Sequence, residues 1–200
     1  MGDNYTKIVQ DNLNQLYNGL PKDFAENLPG EQKGDQFVFD AFGEKCLIEP
    51  EGITFGHGEY SAVFDILISL YALNVHPDIC VINPLKAFKE FPDSMPYLGA
   101  FATHTEQLLV PHVAKIKDSV RAITETLKGK DASDGTGGDF SFMVYPLPKI
   151  ALCYIFYEAD DDFPASVTCL YSSNAQLFLP VAGLADLGEY CSKTILKLIG

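Results

Sequence analysis

The chain has 200 residues, 47% of them apolar and 12% aromatic, which suits one domain over 1–200 with a core that needs neither disulfides nor metals. Its 27 acidic residues against 14 basic give a formal net charge of −13. That balance argues against nucleic acids and anionic membranes, which select clustered Lys and Arg, and suits a cationic partner, a neutral small-molecule ligand or plain solubility.

The first helix is expected around Tyr5, Ile8, Val9, Leu13, Leu16 and Tyr17, whose 3–4 spacing forms one apolar face, with Asp3 or Asn4 as its cap. Glycines and prolines between 19 and 34 read as loop. Phe37-Val-Phe-Asp-Ala-Phe42 and Lys45-Cys-Leu-Ile48 read as a β-hairpin turning at Gly43-Glu44, followed by loop over 49–58. Residues 60–75 form the most apolar helix, with apolar side chains around nearly the whole circumference, and so belong in the domain centre. Four prolines break up 77–99, leaving room for a short helix at 85–89. Thr103-His-Thr-Glu106 matches a capping box. The residues that follow, Leu109, Val113, Ile116, Val120, Ile123 and Leu127, predict a long amphipathic helix kinked or restarted at Pro111.

A Gly-rich connector over 131–139 precedes strands at 140–145 and 150–158 around Pro146-Leu-Pro148. An acidic turn, a strand at 166–171 and a helix opened by Pro180 complete the chain. Hairpin-sized strand pairs separated by helices predict an α+β fold: a mostly antiparallel sheet packed on a buried central helix and amphipathic helices. The five cysteines, Cys46, Cys80, Cys153, Cys169 and Cys191, are scattered without a CxxC pair, as in a reduced, cytoplasmic protein. No signal-peptide pattern opens the chain, and the longest apolar stretch, 66–73, is far short of the roughly 20 residues of a membrane span.

Three stretches carry a family resemblance: Phe88-Lys-Glu-Phe-Pro92 with Tyr97 and Phe101; Tyr157-Glu-Ala-Asp-Asp-Asp-Phe-Pro164; and Leu170-Tyr171 through Leu179-Pro180 to Leu184-Ala-Asp-Leu-Gly188. From about residue 60 to 200 the chain resembles the domain-of-unknown-function family 3786 of anaerobic bacteria and archaea. Some relatives look like fusions to a four-cysteine iron–sulfur domain of corrinoid one-carbon metabolism, so the resemblance implies a corrinoid association; no cysteine cluster precedes Cys46 here. Where family members tend to carry an acid, Ser172 stands, and where they tend to carry Thr-Glu-Asp, this chain has Val181-Ala-Gly183.

Several residues are candidates for chemistry. Glu158, Asp160, Asp161 and Asp162 put four acids in five residues. They could ligate a divalent metal, chiefly through Glu158, Asp160 and Asp162, or form a solvated turn. Asp131-Ala-Ser133-Asp134-Gly135 is like the start of a calcium loop, but Phe142 stands where the bidentate Glu is needed. Among the histidines, His57 sits between two glycines before the buried helix, where a ring nitrogen could ligate a metal or a corrinoid cobalt, or simply face solvent. Nothing matches a GxSxG elbow. The aromatics Tyr97, Phe101, Tyr157, Phe163 and Tyr171 serve either as core or as the lining of a ligand pocket rimmed by the acidic turn. The expected function is therefore a binding or accessory module for a small organic ligand, a corrinoid-related cofactor or a partner protein. The alternative is a metal-dependent or carboxylate-based enzyme built on the acidic turn.

Overall fold

The computed structural model describes residues 2–56 and 62–200. Helix α1 (Gly2–Asn18) starts ahead of the expected cap, so Asp3 and Asn4 fall inside its first turn. It buries Val9, Leu13 and Leu16 and leaves Tyr5 and Ile8 exposed. After a short α2 (Phe24–Asn27), β1 (Glu31–Lys33), β2 (Gln36–Ala41), β3 (Glu44–Glu49) and β4 (Gly52–Phe55) form an antiparallel meander in chain order. Two of these strands lie in stretches expected as loop. Every side chain of β1 is exposed and β4 buries only Phe55, so neither carries a period-two pattern; main-chain pairing to β2 and β3 makes them strands.

The expected hairpin forms, but its turn is Phe42-Gly43 rather than Gly43-Glu44. Both turn residues have positive φ (50° and 83°), the two-residue geometry that matches strand twist. An aromatic residue rarely adopts that conformation. Here the Phe42 ring is buried 5.1 Å from the Phe64 ring, which offsets the strain.

Helix α3 (Ala62–Leu73) is the interior helix. It buries Phe64, Leu67, Ile68, Tyr71 and Ala72. Phe64 meets Phe55 of the first sheet at 4.8 Å and Tyr190 of the C-terminal helix at 5.2 Å, so the apolar circumference is covered from several sides. Asp65 is half-buried, and desolvation holds its carboxyl above the usual range.

In place of the expected helix at 85–89, the chain forms β5 (Lys86–Ala87) and a 3-10 turn, Phe88–Glu90. The Ala87 N–H donates to Glu90 Oε2 at 2.6 Å, which closes the turn. Next come a 3-10 turn (Met95–Tyr97) and α4 (Leu98–Phe101), which runs straight into a π-helical segment, Ala102–Gln107. The capping box at Thr103 does not form, because the chain is already helical there and offers no free N-terminus. Pro111 lies in a 3-10 turn from which α5 (Val113–Thr126) restarts.

The connector holds β6 (Lys130–Asp131) and a helical turn, α6 (Ser133–Thr136), neither foreseen. Then β7 (Phe140–Leu147), β8 (Ile150–Tyr157) and β9 (Ser166–Tyr171) complete an antiparallel sheet in the order β5-β9-β8-β7-β6. Its inner face stacks Phe140 on Phe156 (4.5 Å) and packs Phe142 and Tyr154 toward α5 and α7 (Val181–Ile199), which Pro180 opens as expected. The outer face carries Met143, Ala151, Cys153 and Ile155 under Cys80, Ile82, Leu85 and Ala132. The two sheets touch at the hairpin tip, where the Phe42 N–H donates to the Pro146 carbonyl at 2.7 Å. A continuous apolar core runs from α1 to α7. The architecture is α+β with antiparallel sheets. Among the described residues, no helix is long and apolar enough to cross a membrane.

Candidate functional site

Two clefts border β9. The first lies where β8 ends and β9 begins, and it is shaped by main-chain demands on the acidic turn. Strand β8 is dense in aromatic and β-branched residues up to Tyr157, after which the chain must reverse. Asp160 organises the reversal: its Oδ1 accepts the N–H groups of Asp162 (2.9 Å) and Phe163 (2.7 Å). Asp139 Oδ2 accepts the Glu158 N–H at 2.7 Å, tying the start of β7 to the end of β8. The Glu158 carboxylate pairs with Lys117 of α5. The result is a cavity of about 510 Å³ lined by Tyr157, Phe163 and Pro164 together with Asp139, Glu158 and Asp160. Tyr157 is 44% exposed and Phe163 70% exposed, so neither ring serves the core.

The second cleft, of about 320 Å³, opens where β5 stops pairing with β9. Phe88, Leu98, Phe101 and Ala102 supply an apolar wall, and Phe88 stacks on Phe101 at 4.3 Å. Glu106 enters from the π-helical segment, and its Oε1 accepts the Cys169 N–H at 3.0 Å. Desolvation raises its carboxyl and that hydrogen bond partly offsets the rise.

The aromatic residues singled out from sequence therefore divide. Tyr157 and Phe163 share the first cleft, and Phe101 lines the second. Tyr171 is fully buried, 5.9 Å from Phe101, and its hydroxyl donates to the Leu184 carbonyl at 2.7 Å. Tyr97 is half-buried against the core beside neither cleft. Glu158 and Asp160 line the first cleft while Asp161 and Asp162 face solvent. His57 lies outside the described residues. Among the described residues no three His, Cys, Asp or Glu side chains converge as a metal site would require. All five cysteines are free, and burial lifts the Cys153 thiol to about 11 and the Cys191 thiol to about 12, far from nucleophilic thiolates at neutral pH. The Phe88–Glu106 cleft was missed because its parts come from residues far apart in sequence. Its one legible signal is the five-residue step from Phe101 to Glu106, a π-helical rather than an α-helical spacing.

The family model for a domain of unknown function, DUF3786, matches residues 21–194. The chain belongs to this family. No curated protein and no solved structure matches it. The DUF3786 match starts well before residue 60, so it takes in the first sheet as well as both clefts. Within this DUF3786 chain Ser172 is fully buried, and its Oγ accepts the Ala151 N–H at 3.3 Å, a neutral solution to a desolvated position.

The half-buried carboxyls set a pH dependence. Asp65, Glu106 and Asp186 are all raised, chiefly by desolvation, so the folded chain holds their protons to higher pH than the unfolded chain does. Their contribution is complete below the unfolded value of about 4 and is lost as pH rises through the folded values. Thermal unfolding should therefore occur at a higher temperature at pH 5 than at pH 7.5. Relief of the −13 net charge acts in the same direction. The double variant Asp65→Asn, Asp186→Asn isolates the local effect, since its melting temperature should depend less steeply on pH than that of the parent.

Proposed function

We propose that the chain is a binding or accessory module whose cleft beside Tyr157 and Phe163 holds a small organic ligand or a segment of a partner protein. The observation that carries this reading is the pair of exposed rings, 44% and 70% accessible, on a cavity rimmed by three carboxylates. Exposed aromatics beside acids suit a ligand with an apolar body and a cationic group, because the ring faces and the carboxylates both attract positive charge. The net charge of −13 favours the same class of ligand over nucleic acid or anionic membrane, in keeping with a cytoplasmic setting. The acids are engaged in the turn and with Lys117, so nothing in their geometry favours the metal-dependent or carboxylate-based enzyme.

Titration of the ¹⁵N-labelled protein with an alternating Lys-Leu tetrapeptide and with hydroxocobalamin tests the proposal and its corrinoid-related form. The expected result is saturable perturbation of the Tyr157 and Ser166 amides by one of the two probes. Phe163→Ala and Tyr157→Ala should each weaken that binding about tenfold or more. The proposal fails if neither probe perturbs these amides, or if both variants bind as the parent does.

A further inference from the structure

The second cleft points to a separate ligand. Strand β5 pairs with β9 only through Lys86↔Tyr171 and Ala87↔Leu170, after which the chain leaves the sheet edge at Phe88. The next outward donor on β9, the Cys169 N–H, would have paired with a strand continuing through residue 88. Glu106 takes that donor with one oxygen, Oε1. Its other oxygen, Oε2, makes no hydrogen bond among the described residues, and Glu106 has no salt-bridge partner among them. A half-buried carboxylate thus faces a cavity lined chiefly by apolar residues, with one of its two oxygens unused. That oxygen is reachable from the cleft, where a cation or strong donor would make a charge-assisted contact with it. The π-helical geometry of Ala102–Gln107 carries Glu106 to this place, and π turns recur at functional sites. Lys89, at the rim, is the other charged residue of the lining and is exposed.

We propose that this cleft binds the primary ammonium group of a small apolar amine, with Glu106 as the anion and Phe88, Leu98 and Ala102 around the hydrocarbon. The cavity of about 320 Å³ limits the ligand to a short body. Two sources share this chemistry: a simple alkylamine, and an apolar amino acid whose carboxylate would meet Lys89.

The test follows the Cys169 amide in ¹⁵N-labelled protein during titration with isoamylamine, L-leucine and isocaproate. The amine and the amino acid should shift it saturably, and isocaproate, which lacks the ammonium group, should not. Glu106→Gln keeps the shape and the acceptor for Cys169 while removing the charge, and should weaken both ligands at least tenfold. Lys89→Ala separates the sources: it weakens leucine alone if the amino acid is the better fit and leaves isoamylamine unchanged. An equal shift with isocaproate, undiminished binding in Glu106→Gln, or no shift with either amine overturns the proposal. None of these readouts involves Tyr157 or Phe163, so failure here leaves the first cleft untouched.

Discussion

Replacing Phe142 with alanine should lower the unfolding free energy by about 3–5 kcal/mol, the range for emptying a buried aromatic site. Phe142 is wholly inaccessible at the centre of β7. Its ring lies 5.7 Å from Tyr154 and 5.4 Å from Phe156, and Phe140 stacks on Phe156 behind it. These rings form the inner face of the five-stranded sheet, and neighbours fixed in a pleated ladder cannot easily collapse into the space left behind. Chemical denaturation should show the midpoint falling with little change in slope, since the surface exposed on unfolding hardly alters. Phe163→Ala is the matched control. Its ring is 70% exposed, and the substitution should change stability by less than about 0.5 kcal/mol.

Gly43→Ala should cost about 2–5 kcal/mol although it adds one methyl group near the surface of a hairpin. Two terms contribute. The residue has φ of +83°, where an L side chain is strained by about 1–2 kcal/mol. The new Cβ would also lie 2.6 Å from the Thr126 carbonyl oxygen and 2.8 Å from Thr126 Cγ2, and overpacking of that kind costs about 1–3 kcal/mol. Gly34 separates the terms. It too has positive φ, +64°, but a Cβ there meets nothing within 4 Å. Gly34→Ala should therefore show only the conformational part, and the difference between the two variants measures how tightly the first sheet is seated on the end of α5.

The elements legible in the sequence are those whose side chains alternate or cluster by burial. Gln36–Ala41 and Ser166–Tyr171 alternate exposed or half-buried with buried residues, Ile150–Tyr157 is buried nearly throughout, and α3 is apolar around its axis. The strands missed, Glu31–Lys33, Gly52–Phe55, Lys86–Ala87 and Lys130–Asp131, are short edge strands held by a neighbour's main chain, for which no side-chain pattern is required. The same division applies to the sites. The acidic and aromatic run from Tyr157 to Pro164 is contiguous, so its unusual composition was visible at once. Phe88, Phe101, Glu106 and Cys169 come together only because the chain leaves the sheet at Phe88 and a π turn redirects Glu106. In sequence that glutamate looked like half of a capping box, since the local pattern was present and only the preceding α4 made it irrelevant.

The bond from the Cys169 N–H to Glu106 also bears on the open edge of the five-stranded sheet. Beyond Ala87, no strand among the described residues lies beside the outer side of β9, and an uncovered strand edge invites pairing with another chain. At Cys169 the donor that would begin such a ladder is already occupied by a side chain. An incoming strand would have to displace Glu106 before it could pair at Cys169. Glu106 thus acts as a stopper on the sheet edge, and its loss in a Glu106→Ala variant would turn residues 166–169 into a template for self-association.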